Sequence, residues 1–270
     1  MTIDKSIDHL NIALAFIGDS DISRWPKELL PEPAFPPKLL SHHHDHIHVH
    51  VSTFHRATSG AMMKHLPKQI KKIKQDMNSR GPFDATVFIC CAGENDVSND
   101  TPVDSIMESF QESVDAIFSS PIPTSCSKRP NLVFLGPKLE PWMTTNETDA
   151  RKAYFLLSER LHASIENKSY LAKVSERRVQ HDHDHDHGRV HDVKDRQDCR
   201  VDGYSVLYVD SLKLFCCRES SEDLSVVGGG AIADDRYFEE DGLHLSDEGY
   251  KIWKEEVENI VSKLIYLRFA

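Results

Sequence analysis

A serine between two aspartates follows the first apolar stretch of the sequence. The run 12–17 stops at a glycine, and Asp19, Ser20 and Asp21 come next. A serine hydroxyl can attack an acyl carbon once a base takes its proton. From Asp19 to Ser23, however, the same residues also fit the pattern D-x-D-x-[ST], in which the first aspartate would attack a phosphoryl group. Other parts of the sequence have to decide between these two nucleophiles.

An aspartate and a histidine near the end of the sequence could activate Ser20. They stand as Asp241-Gly-Leu-His244, directly before the last helical pattern. His244 is a candidate general base, and a carboxylate three residues earlier can fix its tautomer and stabilise the imidazolium. A lone D-x-x-H is often only an acid at a helix start with an incidental histidine. This pair therefore indicates a catalytic site only together with other motifs.

Donors for a developing oxyanion are also present. Gly60 follows an apolar strand pattern, and Gly93-Glu94-Asn95-Asp96 follows another. The backbone N–H groups of Ser20 and Gly60 and the side-chain amide of Asn95 could together supply three donors. Each fragment alone could equally be turn or cap chemistry. Four of them in this order, each after a strand or before the last helix, are hard to explain as caps.

The elements that must position these residues follow an α/β pattern. Short apolar runs are typical of buried parallel strands, and four of them cover 12–18, 85–93, 131–136 and 204–210. Apolar stripes at helical spacing lie between or after them, over 62–77, 103–118, 147–172 and 250–264. With a further strand at 46–54, the sequence predicts a parallel sheet of about five strands, covered by helices on both faces.

The strand at 46–54 differs from the others because histidines alternate with apolar residues. This alternation indicates a strand with one less buried face, which suits a sheet edge. His46, His48 and His50 would share that face. The segment 181–198 is low in complexity and rich in histidine and aspartate, so we interpret it as a loop insertion in a single domain that covers 1–270. Divalent metals should bind the histidine-rich segments adventitiously.

Composition narrows the function classes. The formal net charge of −11 argues against a nucleic-acid partner, which requires a basic surface. No apolar stretch reaches the ~20 residues that span a bilayer, and acids precede the first apolar run, unlike in a signal peptide. We therefore expect a soluble cytoplasmic protein. The six cysteines show no C-x-x-C spacing, so we predict reduced thiols and no disulfide framework.

Taken together, the motifs resemble those of the SGNH (GDSL-type) hydrolases, which are esterases and lipases with a flavodoxin-like three-layer α/β/α fold. The blocks match as Gly18-Asp19-Ser20, Gly60, Gly93-x-Asn95-Asp96 and Asp241-x-x-His244. The resemblance implies Ser20 as nucleophile, Gly60 and Asn95 as oxyanion donors, and Asp241 and His244 as the rest of a triad. It departs from the family pattern at Asp21, where a leucine often follows the serine.

The expected activity is thus hydrolysis of a small carboxylic ester, with an acetyl or short-to-medium acyl group, through an acyl-enzyme and without a cofactor. Two alternatives stay open. One is a Mg²⁺-dependent phosphatase of the haloacid dehalogenase type, with Asp19 and Asp21 in the site and the acidic pair Asp234-Asp235 for the metal. It leaves Asn95 and the D-x-x-H motif unused, and we find no convincing lysine at a later strand end. The other is a catalytically inactive, histidine-rich metal-binding protein.

Overall fold

The computed structural model describes residues 9–32, 48–119, 130–143, 149–167, 206–218 and 231–269. Its centre is a five-stranded parallel sheet with the strand order β2-β1-β3-β4-β5. The strands are β1 (His9–Gly18), β2 (His48–His55), β3 (Ala85–Cys91), β4 (Asn131–Leu135) and β5 (Val206–Val209). The predicted α/β fold with a parallel sheet of about five strands is therefore confirmed.

Seven α-helices are found in the described part of the chain. They are α1 (Ser20–Arg24), α2 (Leu66–Asn78), α3 (Glu94–Ser98), α4 (Val103–Phe118), α5 (Asp149–Glu166), α6 (Ser211–Phe215) and α7 (Asp247–Phe269). The four predicted helices correspond to α2, α4, α5 and α7. The helices α1, α3 and α6 were not predicted, because five residues are too few to show the helical spacing of apolar side chains. Two short strands, β6 (Cys216–Arg218) and β7 (Ala231–Ala233), pair antiparallel.

The sheet is buried on both faces because its central strands are apolar at nearly every position. Alternate side chains of β1 point to opposite faces: Ala13, Ala15 and Ile17 join the core under α2, α4 and α5, whereas Ile12, Leu14 and Phe16 join the core under α7. Trp253 of α7 is fully buried in that second core. Two cores on either side of one sheet give the three-layer arrangement that the resemblance implied.

The edge position of β2 is confirmed. Among the strands that the structure describes, β2 pairs with β1 alone, and its His48 and His50 are exposed. The ring of His48 stacks on that of His9, which is its partner in the register, with centroids 5.4 Å apart. His46 and the 181–198 segment lie outside the described residues, so the insertion and its metal binding remain predictions.

Two of the cysteines lie in the central sheet. Cys90 and Cys91 are free thiols buried in the sheet. Burial, the main cause, raises the pKa of both Cys90 and Cys91 well above the usual value, which keeps them as neutral thiols.

Among the described helices, none has the length and apolar character needed to cross a membrane.

The end of β1 approaches β3 so closely that only glycine fits there. Gly18 has φ +145°, and a Cβ on it would lie 2.2 Å from the carbonyl oxygen of Cys91. That oxygen is backbone and cannot move aside like a flexible side chain. Gly60 differs, because its φ is +73° but no atom lies within 4 Å of the place its Cβ would take. The two glycines therefore separate steric exclusion from backbone strain.

Gly18→Ala should destabilise the protein by about 3 kcal/mol or more, because it combines strain with a clash against backbone. Gly60→Ala is the matched control and should lower the free energy of unfolding by only about 1–2 kcal/mol, the ordinary strain of a left-handed residue. Urea unfolding of both variants measures the difference. Equal losses for the two variants would contradict the close approach of Gly18 to Cys91.

Candidate active site

The turn after β1, which we call the Ser20 turn (residues 18–21), exposes only one of its three polar side chains. Asp19 caps α1, since its Oδ1 accepts a hydrogen bond from the N–H of Asp21 at 3.2 Å. Asp19 and Asp21 are fully buried, whereas Ser20 is half-buried at the first position of α1. Of these three polar residues, Ser20 alone is partly open to solvent, and both carboxylates are shielded from it.

The loop that carries Gly60 is bonded directly to this turn. The N–H of Thr58 donates to the carbonyl oxygen of Gly18 at 3.0 Å, and the N–H of Ala61 closes a turn onto Thr58 at 3.0 Å. Gln69 of α2 fixes the same strand end from the other direction: it accepts from the N–H of Gly18 at 2.7 Å and donates to its carbonyl at 2.9 Å. Gly60 lies exposed within this loop, next to the Ser20 turn.

Asn95 lies at the start of α3 and contacts the Gly60 loop. Its Nδ2 donates to the carbonyl oxygen of Ala61 at 3.2 Å. A primary amide carries two N–H groups, so one remains as a donor for another acceptor. The next residue, Asp96, accepts from the N–H of Met63 at 2.7 Å, and burial raises its pKa. The end of β1, the Gly60 loop and α3 thus form one bonded assembly.

The histidine loop (residues 239–245) holds Asp241 and His244 in contact. Nδ1 of His244 lies 2.6 Å from Oδ2 of Asp241, and Oδ1 of Asp241 accepts the N–H groups of Leu243 and His244 at 2.9 and 3.0 Å. The hydrogen bond with His244 is the main reason why the pKa of Asp241 falls well below its usual range. An ionised Asp241 accepts a hydrogen bond from Nδ1, which leaves Nε2 of a neutral imidazole as an acceptor.

The histidine loop and the helix that follows it are joined to the end of the sheet where Ser20 lies. The hydroxyl of Tyr250, on α7, donates to the carbonyl oxygen of Asp21 at 2.8 Å, and Arg24 of α1 pairs with Glu239 at 3.6 Å. Ser246, directly before α7, accepts from the N–H of Gly249 in the first turn of that helix at 3.4 Å. All five predicted site residues therefore lie in loops and short helices at the carboxyl edge of the sheet or in the loop bonded to α1.

A buried charge cluster lies directly under this edge, and the sequence did not reveal it. It consists of Asp21, Glu94, Lys138 and Glu140. Nζ of Lys138 donates to Asp21 at 2.6 Å and to Glu94 at 2.7 Å, and its backbone N–H donates to Glu94 at 2.8 Å. The side chain of Lys138 is only 1% exposed. A lysine in the loop after β4 would ordinarily be predicted on the surface.

Carboxyl groups outnumber the ammonium in this region. Burial raises the pKa of Asp19 well above its usual value, with further contributions from Asp21 and Glu94, and it also raises the pKa of Glu94. For Lys138 burial acts to lower the pKa, but the surrounding carboxylates outweigh it and raise the pKa. Burial, with the nearby charge of Glu94, raises the pKa of Glu140 to about 8. Glu140 therefore keeps its proton to a higher pH than a solvent-exposed glutamate does.

The geometry does not favour the phosphatase alternative. Its nucleophile would be Asp19, which is fully buried and caps a helix, and the side chain of Asp234 is paired with Arg236 at 2.6 Å. One argument against that alternative was nevertheless wrong. A lysine does follow a later strand, because Lys138 comes after β4, yet it contacts Asp21 and not Asp19 among the pairs described.

Two apolar side chains flank the histidine loop on its exposed side. Trp142 is 51% exposed and Leu243 is 40% exposed. Their chain neighbours Pro141 and Gly242 lie close together, since a Cβ built on Gly242 would come within 3.8 Å of Cβ of Pro141. The indole N–H of Trp142 donates to Glu140, which fixes the ring beside the buried charge cluster. This pair offers an apolar surface next to His244.

In the described ranges, one group of three residues is arranged so that all three could bind the same metal ion. Glu239, Asp241 and His244 have ligand atoms within 4.8 Å of one another. Two of its three members are the predicted triad residues, so a cation there would compete with the hydrogen bond between Asp241 and His244.

Comparison with protein-family models gives no match, and comparison with curated proteins gives none either. Solved structures do align. A candidate platelet activating factor from Streptococcus pneumoniae is 13% identical, with a TM-score of 0.51, over 95% of this chain and 86% of that chain. This likeness supports the fold alone.

Two esterase structures align less closely. The psychrotrophic esterase EstA from Pseudoalteromonas sp. is 11% identical with a TM-score of 0.45, over 94% of this chain and 98% of that chain. Est24, a carbohydrate acetylesterase from Sinorhizobium meliloti, is 13% identical with a TM-score of 0.43, over 93% of this chain and 99% of that chain.

The raised pKa of Glu140 predicts how stability depends on pH. Between its ordinary value of 4.5 and about 8, the folded chain keeps a proton that the unfolded chain has lost. The free energy of unfolding should therefore fall as the pH rises through that window. In Glu140→Gln this contribution is absent, so the decline from pH 5 to pH 8 should shrink by on the order of a few kcal/mol.

Urea unfolding at several pH values measures the two slopes. Glu108→Gln, on the exposed face of α4, is the matched control and should keep the wild-type slope. Parallel curves for wild type and Glu140→Gln would show that Glu140 does not bind a proton on folding.

Proposed function

We propose that the protein hydrolyses a small carboxylic ester through an acyl-serine intermediate on Ser20. The observation that carries the proposal is the 2.6 Å contact between Nδ1 of His244 and Asp241, because it frees Nε2 of the same ring to act as a base. The partial exposure of Ser20 and the buried state of both neighbouring aspartates support the choice of nucleophile. The four sequence blocks that resemble SGNH hydrolases support it independently.

In the proposed reaction, His244 takes the proton of Ser20 while the serine oxygen attacks the ester carbonyl. The resulting imidazolium is stabilised by the carboxylate of Asp241, which stays ionised because its pKa is low. His244 then returns the proton to the leaving alcohol as the carbon–oxygen bond of the ester breaks. Water, deprotonated by the same histidine, attacks the acyl-serine and releases the acid.

The oxyanion of each tetrahedral intermediate needs donors that are already in place. We assign this role to the backbone N–H groups of Ser20 and Gly60 and to the free N–H of the Asn95 amide. The bond from Asn95 to Ala61, one residue beyond Gly60, keeps two of these donors in neighbouring positions. The left-handed φ of Gly60 turns its peptide in a direction that other residues rarely adopt.

The substrate we propose is a small ester with an acetyl or short-to-medium acyl group. Trp142 and Leu243 give an exposed apolar surface beside His244, which suits the hydrocarbon part of such a molecule. The mechanism requires no metal or cofactor. We further propose that the protein acts in the cytoplasm on a freely diffusing substrate.

A fluorophosphonate probe and an ester substrate test the nucleophile together. The wild type should release acid from a p-nitrophenyl ester, react with the probe at one residue, and keep its activity in the presence of a chelator. Ser20→Ala should lose labelling and at least about 1000-fold of the turnover. Ser23→Ala removes an exposed hydroxyl from the same helix and should behave like the wild type.

A panel of acetyl, butyryl and octanoyl esters in the same assay ranks the acyl groups. Chelator-sensitive release of phosphate from a phosphomonoester, retained in Ser20→Ala, would refute the proposal in favour of a metal-dependent phosphatase.

Asp241→Asn tests the assigned orienting acid. Asparagine can still accept the backbone N–H groups of the histidine loop, but its amide would face Nδ1 of His244 and favour the wrong tautomer. We expect kcat to fall by about 1000-fold or more with little change in melting temperature. Glu240→Gln, an exposed neighbour in the same turn, should change neither. A folded Asp241→Asn with wild-type turnover would remove Asp241 from the triad.

A further inference from the structure

Lys138 makes two short buried ion pairs beside the site, and the proposed reaction does not use them. Its ammonium lies 2.6 Å from Oδ2 of Asp21 and 2.7 Å from Oε2 of Glu94, and the side chain is 1% exposed. Its backbone N–H donates to Oε1 of Glu94 at 2.8 Å, so the glutamate is held at both oxygens. Both ammonium contacts are short, charge-assisted and shielded from water, which gives them a defined geometry.

The two partners of Lys138 are the chain neighbours of two assigned catalytic groups. Asp21 follows Ser20 in α1, and Glu94 precedes Asn95 in α3. Each of these helices has five residues, too few to be stable or rigid alone. Their positions must therefore be set by tertiary contacts. The ammonium of Lys138 contacts one side chain from each of the two helices.

A gain in stability does not explain this lysine well. Buried ion pairs seldom stabilise a fold more than apolar residues of similar volume would, because both charges lose their hydration. Here the balance is poorer still, since Asp19 and Glu140 add further acid and Oδ1 of Asp21 has no hydrogen-bond partner among the described residues. An apolar arrangement would hold the loops together but would not fix the distance between them.

We propose that Lys138 is a positioning residue that sets the spacing between the nucleophile Ser20 and the oxyanion donor Asn95. The ammonium acts as a rigid spacer because both carboxylates contact the same nitrogen atom. Displacements of about 1 Å between reacting groups can lower a rate by roughly 100-fold. The inference rests on the proposed esterase function, and its test compares variants with an active wild type.

The test is the turnover of Lys138→Met, expressed per folded molecule. Methionine fills a similar volume without the charge, so Asp21 and Glu94 lose their common partner. We expect kcat for p-nitrophenyl acetate to fall about 100-fold, while KM changes less than about threefold, because the ester still binds but the oxyanion donor is displaced. The folded fraction is measured by circular dichroism at the assay temperature.

Lys74→Met is the matched control. Lys74 is also a buried lysine, 8% exposed, but its ammonium donates to the carbonyl oxygens of Ala116 and Ile117 at the end of α4. Its loss should lower the melting temperature and leave kcat per folded molecule unchanged. A purely structural role for Lys138 would make the two variants behave alike.

The triple variant Lys138→Met, Asp21→Asn, Glu94→Gln separates stability from positioning. Neutral partners remove the uncompensated charges, so the melting temperature should recover relative to Lys138→Met. The turnover should stay about 100-fold low, because no ammonium then links the side chains at positions 21 and 94. Turnover per folded molecule within about threefold of wild type, in the triple variant or in Lys138→Met, would overturn the inference.

The wild type, assayed in parallel with Ser20→Ala, separates this inference from the proposed function. An inert wild type would refute the esterase itself. An active wild type with an equally active Lys138→Met would refute only the spacer.

Discussion

The close approach of β1 and β3 at Gly18 is the constraint on which the site depends. The missing side chain lets the backbone of Cys91 pass within van der Waals distance, and the N–H of Asp19 then donates to the carbonyl of Cys91 at 3.2 Å. After that bond the chain leaves the sheet and enters α1 within one residue. Ser20 is placed at the corner because the strand must end there.

The same corner explains why polar groups accumulate beneath an apolar sheet. Where the parallel strands end, their last carbonyl and N–H groups lack strand partners and have to bond to loops. Gly18, the last residue of β1, is satisfied by Thr58 and Gln69. These bonds join loops that are distant in sequence. The groups we assign to catalysis all lie on or beside this joined edge, and the side chains of Asp241 and His244 are in direct contact there.

The sequence predicted the sheet and the long helices well because both signals are local, and the stripe at 103–118 matches α4 residue for residue. The contact between Asp241 and His244 was also predictable, since three residues of loop bring an acid to its own histidine. Short helices such as α1 and α3 carry no period and are fixed by contacts made elsewhere. The burial of Lys138 was not predicted. Its two carboxylate partners lie 117 and 44 residues away in the sequence, and no local pattern of residue types indicates partners at such distances.

The departure at Asp21 and the burial of Lys138 explain each other. Where a leucine often follows the serine in SGNH hydrolases, this chain places a carboxylate against the core, 1% exposed. An unpaired carboxylate there would take up a proton or destabilise the turn. A lysine after β4 supplies the missing charge, and once buried it needs a second acceptor to offset its own desolvation. Glu94 provides that acceptor from α3. A single acidic residue beside Ser20 therefore couples the Ser20 turn to the helix that carries Asn95.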